Sequence, residues 1–230
     1  MTPPERERRP GKGGSSNSLV DDISSSPNGS TVVLAIDAER VTNGQLVADC
    51  ARLGYLPEPV LDPTYGFGGM WSDHRPDLLL AFDTNPDRGV AVADLAALPL
   101  ADHSVGSVLL DPPYRLGGKP TSNHSGGMDD RYGIDRYRPA DTVANMYRSG
   151  IIEAARIVRN GGYVLIKCQD QISSGRLHLQ TVDVITVGKE IGLKVVDLLH
   201  IVGGRPQPPG RRQVHARRNY STMVVLQVAS

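Results

Sequence analysis

Long hydrophobic runs are missing from this sequence. No apolar stretch approaches the ~20 residues that a bilayer-spanning helix needs, and the first residues carry no apolar signal core. Cysteine is scarce as well. Cys50 and Cys168 lie in separate apolar segments without metal-ligand spacing, so buried free thiols in a reducing compartment are expected, and with them a cytoplasmic location. The six histidines show no metal spacing, and no metal is expected. Neither sign of charge is in excess: 25 basic residues stand against 25 acidic ones, which excludes a chain that coats polyanions along its whole length. Two nucleotide signatures are absent too. Without a Gly-x-x-x-x-Gly-Lys-Ser/Thr phosphate loop or a Gly-x-Gly-x-x-Gly turn, nucleoside triphosphates and nicotinamide dinucleotides are disfavoured.

What is present fits one soluble domain of ordinary size, at 230 residues with 39% apolar and 22% charged. Residues 1–28 are rich in Pro, Gly, Ser and charge and read as a disordered tail, leaving 29–230 for the domain. A short strand is expected at Thr31 to Asp37. A helix follows over NGQLVADCARLG, with Leu46, Val47, Cys50 and Leu53 on one face, Asn43 as its cap and Gly54 at its end.

The pattern then turns to apolar runs closed by an acid or a glycine: 59–62, 78–83, a weaker 89–94, 105–111 and 162–168. Runs of this kind suit strands buried on both faces of a parallel sheet. Between the last two, Val143, Met146, Tyr147, Ile151, Ala154, Ala155 and Val158 mark a helix that Asn160-Gly161-Gly162 should terminate, giving a βαβ crossover. A second helical stretch at about 178–191 leads into LKVVDLLHIV, a Gly/Pro/Arg-rich excursion, and STMVVLQVA. Two strands joined without a helix predict an antiparallel hairpin at the sheet edge.

In an open parallel sheet, ligands bind beyond the carboxyl ends of the strands, and that is where the acids of this sequence fall. Asp62 closes one strand and opens DPTYGFGG, whose glycines let the turn approach a ligand without Cβ obstruction. Asp83 closes the next, where a carboxylate can take both hydroxyls of a ribose. Asp94 closes the third, and the 105–111 strand runs into Asp111-Pro112-Pro113-Tyr114. The order of glycine loop, acid, acid and DPPY points to a nucleoside ligand without a pyrophosphate.

DPTYGFGG, Asp83, Asp94 and DPPY together resemble the S-adenosylmethionine-dependent methyltransferases, in particular those that modify exocyclic amino groups of nucleobases. The resemblance spans about residues 43 to 228. It implies an α/β fold with a Rossmann-like, seven-stranded class I methyltransferase sheet, mostly parallel with an antiparallel last strand. It implies S-adenosyl-L-methionine as cofactor, with Asp62, Pro63, Thr64, Tyr65, Gly66 and Gly68 bordering its methionine part, Asp83 on the ribose, and Asp94 with Leu95 at the adenine. The motif order resembles that of the small stand-alone DNA methylases whose chains are not circularly permuted, while the tetrapeptide itself is shared by adenine-N6 and cytosine-N4 enzymes and is similar to those of RNA guanine-N2 and adenine-N6 methyltransferases.

DPPY then acquires a chemical reason. An aromatic amine is a poor nucleophile because its lone pair is delocalised into the ring. Asp111 can accept one of its N–H groups and the Pro112 carbonyl the other, presenting the lone pair to a methyl donor. Pro112 and Pro113 stiffen the backbone that carries the second acceptor, and Tyr114 can stack on the base, a contact worth ~1–3 kcal/mol. A base in a duplex must first be flipped out.

Two loops remain. Residues 115–139 form a polar, Gly-rich segment of a length that accompanies lids, nucleic-acid contacts or plain insertions. Residues 203–220 carry Arg205, Arg211, Arg212, His215, Arg217 and Arg218, a local basic cluster suited to phosphates on an otherwise neutral chain. Nucleic acid is the expected partner, DNA before RNA. Sizeable target-recognition regions are usual in sequence-specific DNA methylases and none is evident here, so specificity is expected to be low, borrowed from a protein partner, or directed at RNA. A cofactor-fold binding module without turnover is the alternative from another class.

Overall fold

Thr42 starts the first helix, α1 (Asn43–Arg52), through a reciprocal cap: its hydroxyl accepts the Gln45 N–H at 3.1 Å while the Gln45 side chain accepts the Thr42 N–H at 3.2 Å. The cap therefore lies one residue before Asn43, where a Thr-x-x-Gln pattern supplies both acceptors. Leu46, Val47 and Cys50 are fully buried, whereas Leu53 sits at the helix terminus and is 37% exposed. Gly54 follows at φ 79°, ending the helix as expected. The computed structural model describes residues 40–117, 139–203, 212, 214–216 and 218–230. The tail, the strand expected at 31–37 and most of the 115–139 loop lie outside the described residues.

Seven strands form the main sheet: β1 (Val60–Asp62), β2 (Leu79–Asp83), β3 (Ala91–Val92), β4 (Val105–Leu110), β5 (Val158–Cys168), β8 (Lys194–Val202) and β9 (Tyr220–Gln227). Their order is β3-β2-β1-β4-β5-β9-β8. The pairings from β3 to β5 are parallel, and β9 runs antiparallel to both β5 and β8. This is the Rossmann-like, seven-stranded, mostly parallel arrangement with an antiparallel last strand expected from the sequence, with the terminal hairpin at the sheet edge.

Burial is less uniform than the apolar runs imply. Every residue of β1 and β4 is buried, but β2 is only partly covered and β3 is exposed. The reason lies in the connections. Parallel crossovers usually carry a helix, yet β1 to β2 and β2 to β3 hold only single 3-10 turns, at Gly69–Trp71 and Pro86–Arg88. Leu78 and Val92, each 59% exposed, mark the uncovered end.

The β4-to-β5 crossover contains α2 (Ala140–Ile157), which buries Val143, Tyr147, Ile151, Ala154 and Ile157 against the sheet. Asn160-Gly161-Gly162 does not end this helix. It stops at Ile157, and Val158 is already in β5, paired with Val105; pairing resumes at Ser107 with Tyr163. Residues 159–162 bulge out opposite Gly106, with Gly161 at φ 75°. The third helix, α3 (Gln180–Glu190), begins later than expected, because His178 belongs to a small hairpin that the sequence reading missed. That hairpin pairs β6 (Gln171–Ser173) with β7 (Arg176–His178) through Ser174 and Gly175, at φ 50° and 74°. Two successive left-handed residues give the turn whose twist matches a hairpin.

Both cysteines are free and buried, and burial pushes each thiol up to about 12. No helix among the described residues is long and apolar enough to cross a membrane.

The bulge rests on backbone packed against backbone. A Cβ on Gly106 would meet the carbonyl oxygen of Pro57, and one on Gly162 would meet the carbonyl oxygen of Gly106. Main chain cannot swing aside as a side chain can. Gly106→Ala is therefore expected to destabilise the protein by about 2 kcal/mol or more, read as a lowered denaturant midpoint; an unchanged midpoint would mean that the Pro57–Glu58 backbone yields freely.

Candidate active site at the carboxyl ends of the strands

Strand order reverses between β1 and β4, and the crevice at such a switch point is where open α/β sheets bind ligands. Asp62 at the end of β1 has no exposure at all. Its carboxylate accepts hydrogen bonds from the Trp71 indole at 2.8 Å, the Thr64 N–H at 2.9 Å and the Thr64 hydroxyl at 3.1 Å. Burial pushes its pKa up to about 7 against the pull of these donors, with the Asp111 charge adding to the rise. The Thr64 hydroxyl also accepts the Asp111 N–H at 2.8 Å. One side chain thus ties the first acid of the site to the DPPY backbone.

The glycine loop and Asp83 are joined just as directly. Gly66 donates its N–H to one Asp83 oxygen at 2.8 Å and Asn85 donates to the other at 2.8 Å, while the Tyr65 N–H reaches the Phe82 carbonyl at 3.1 Å. Gly68 adopts φ 71°, and a Cβ there would lie 2.6 Å from the Tyr65 hydroxyl. The left-handed φ is what favours glycine here, since the Tyr65 hydroxyl ends a side chain that can give way. Pro63 is buried beneath this turn.

Asp94 and Leu95 line an open cavity of about 270 Å³ together with Ala96 and, from α2, Asn145, Met146 and Ser149. The Asp94 carboxylate accepts the Ala96 N–H at 2.9 Å and so shapes the turn. Leu95 lies against Gly150 so closely that any Cβ at that position would strike its methyl group.

Beyond β4, the Asp111 side chain meets the buried ammonium of Lys167, 3.2 Å from one carboxylate oxygen and 3.5 Å from the other. Burial pulls the Lys167 pKa down, but Asp111 and Tyr114 outweigh it and hold the ammonium above the ordinary lysine value. The same nitrogen stands 5.4 Å from the centroid of the Tyr114 ring. Tyr114 is half-buried against the core edge, and burial raises its phenol pKa, with Lys167 opposing. Pro112 is buried and Pro113 half-buried. The Tyr114 carbonyl accepts hydrogen bonds from Gln171 at 2.9 Å and Gln180 at 2.8 Å, so the tetrapeptide is gripped from the β6–β7 hairpin and from the start of α3.

Of the basic cluster, Arg212 and His215 are exposed, and Arg218 is half-buried with its guanidinium donating to the Ala216 carbonyl at 3.2 Å. Arg211 and Arg217 lie outside the described residues. Trp71, Lys167, Gln169, Gln171 and Gln180 were not anticipated as parts of the site. Only Lys167 carried a signal: a charged residue inside the apolar run GYVLIKC needs a partner.

No family model and no curated protein matches the sequence. Solved structures do match in shape. A protein provisionally designated a methyltransferase (BH2331) from Bacillus halodurans C-125 is 14% identical over 80% of this chain and 99% of its own, with a TM-score of 0.52. The N-methyltransferase NodS from Bradyrhizobium japonicum WM9 is 12% identical over 82% and 94%, with a TM-score of 0.51. A provisionally designated DNA modification methylase, TTHA0409 from Thermus thermophilus, is 16% identical over 59% of this chain and only 49% of its own, with a TM-score of 0.39. At these identities the first two likenesses show the fold alone.

Asp62 carries a test of the buried centre. With its pKa raised from 3.8 to about 7, the folded state holds a proton that the unfolded chain has already lost across that window. Its contribution is full below the lower value and lost as pH rises through the upper one. Relative to Asp62→Asn, wild-type stability should fall between about pH 4 and pH 7 by up to about 4 kcal/mol, at ~1.4 kcal/mol per unit. Denaturant titrations across that range read it, and parallel curves would place Asp62 as an ordinary low-pKa carboxylate.

Proposed function

We propose that this chain transfers a methyl group from S-adenosyl-L-methionine to an exocyclic amino nitrogen of a nucleobase, adenine N6 or cytosine N4 in DNA, with RNA as the second polymer. The observation that carries the reading is DPPY at the carboxyl end of β4, beside the switch point, anchored by Thr64 and by two glutamines.

The residues present fit the cofactor. Gly66 and Gly68 bring bare backbone to the end of β1 within a loop that Asp83 holds, and the cavity between Leu95 and α2 has an apolar wall with polar rims, suited to adenine. In this reading Asp62, Pro63, Thr64 and Tyr65 border the methionine part, with Asp62 acting from behind the loop because it is fully buried. S-adenosyl-L-methionine, when bound, supplies an activated methyl on a sulfonium. Asp111 accepts one N–H of the target amine, the Pro112 carbonyl accepts the other, and Tyr114 offers a ring face to the base. These contacts localise the nitrogen lone pair and aim it.

Arg211, Arg212, His215, Arg217 and Arg218 serve the phosphates in this proposal. A protein partner that supplies specificity is part of the proposal.

Two experiments test the assignment. Nucleoside mass spectrometry on DNA and RNA incubated with the protein and S-adenosyl-L-methionine should find one methylated amino base. Asp111→Ala should lower that rate by about a thousandfold or more while cofactor affinity stays within a few-fold. Gly150→Ala should do the reverse, weakening cofactor affinity by driving Leu95 into the cavity, and adding Leu95→Ala should restore part of it. An active Asp111→Ala enzyme would sink the mechanism, and a wild type that binds cofactor but modifies no base would favour the non-catalytic module.

The basic loop has its own readout. If Arg211, Arg212, Arg217 and Arg218 neutralise phosphates, nucleic-acid affinity should fall with salt at a logarithmic slope of about 0.7 to 0.9 per contact. Neutralising all four should flatten that slope and leave cofactor affinity nearly intact. An unchanged slope would make the cluster a solvated loop and pass its role to the 115–139 segment.

A further inference from the structure

Register places Leu110 of β4 opposite Ile166 of β5, so Asp111 and Lys167 emerge side by side where the parallel pair ends. Both continue the row of Leu109 and Leu165, which belong to the core beneath α1. An apolar pair would extend that core. Instead the row ends in a carboxylate and an ammonium whose side chain is only 6% exposed.

Such a pair is a poor device for stability. Desolvating both charges offsets most of their attraction, and apolar replacements of similar volume often serve a fold as well or better. The contacts of Lys167 go elsewhere: to both oxygens of Asp111, at 3.2 and 3.5 Å, and to the Tyr114 ring, at 5.4 Å. Its backbone is fixed as well, since its carbonyl accepts the buried Tyr147 hydroxyl at 3.1 Å. A rigid strand therefore holds one cation against the two side chains that DPPY contributes to the site.

We propose that Lys167 is a positioning residue for methyl transfer, acting through Asp111 and Tyr114; the inference rests on the function proposed above. The ammonium occupies one flank of the Asp111 carboxylate and fixes its plane, leaving the other flank, 21% of the side chain being open, to accept the N–H of the target amine. By sitting over the Tyr114 ring it also holds the stacking surface in one orientation relative to that acceptor. Neither effect needs Lys167 to touch the substrate.

The test uses the full chain with S-adenosyl-L-methionine and unmodified DNA and RNA oligonucleotides. Lys167→Met keeps length and apolar bulk but leaves the Asp111 charge without its partner, so Tm should fall, while kcat should drop by about a hundredfold with cofactor Kd within about twofold. Lys167→Ala should lose activity similarly and regain part of it with added ethylammonium, while an uncharged alcohol of the same size does nothing. A merely structural lysine would give no such charge-selective rescue. Full activity in Lys167→Met, or lost activity with a collapsed Tm and no rescue in Lys167→Ala, would overturn the proposal. A wild type that methylates neither polymer would overturn the functional reading itself, and this proposal with it, and that result is read before any variant is compared.

Discussion

The hydroxyl of Thr64 is the contact on which the rest of this site depends. It donates to Asp62, which ends β1, and accepts from the backbone of Asp111, which follows β4. Those strands pair only as far as Leu61 with Val108, so beyond that point nothing in the ladder holds the Asp111 N–H. Leaving a buried donor unmatched costs about 1–3 kcal/mol. Thr64 removes that cost and fixes where DPPY begins. Asp62 in turn draws in Trp71, which with Met70 closes the core beneath α1. Core, glycine loop and tetrapeptide therefore share one buried hydrogen-bonded junction.

Much of this was legible because it is local. The apolar runs at 59–62, 78–83 and 105–111 found β1, β2 and β4, and the final helix-free pair found the edge hairpin, since continuous burial and turn chemistry leave a mark in a short window. Asp62 and Asp83 were recognisable as strand-end acids for the same reason, whereas Asp94, expected to close the third strand, falls two residues beyond β3 in a turn that pairs back to Ala97. Boundaries were less readable. Asn160-Gly161-Gly162 looks like a helix stop, but Val158 leaves the helix first because its partner across the sheet, Val105, captures it. The β6–β7 hairpin went unseen because its strands alternate weakly and its Ser-Gly turn is a faint signal beside Asn-Gly or Asp-Gly.

The remainder was illegible because it is made across the chain. Lys167 was visible as a charge in an apolar run, but its partner is Asp111, and only the β4–β5 register brings the two together. The glutamines gave no warning at all. Gln171 and Gln180 reach the Tyr114 carbonyl from different elements, and nothing about a glutamine at a strand or helix start distinguishes such a clamp from a solvated side chain. The exposure of β2 and β3 was equally hidden. Their apolar residues suit a doubly covered sheet, and what uncovers them is that their connections carry single 3-10 turns in place of helices.

These cross-chain contacts also join the two ends of the proposed function. Gln171 donates to the Tyr114 carbonyl and, at 3.2 Å, to the carbonyl of Gln169. Gln169 donates onward to the carbonyls of Tyr220 at 3.0 Å and Arg218 at 3.4 Å, where the basic loop rejoins β9. A bonded polar chain thus runs from DPPY to the base of the arginine cluster without crossing the cofactor half. If the cluster holds phosphates as proposed, the strand it grips and the acceptor that meets the flipped base are positioned from one frame. Phosphate contacts fix register and orientation but carry no sequence information. Selectivity among sites must then come from the segments flanking this frame or from another molecule bound to it.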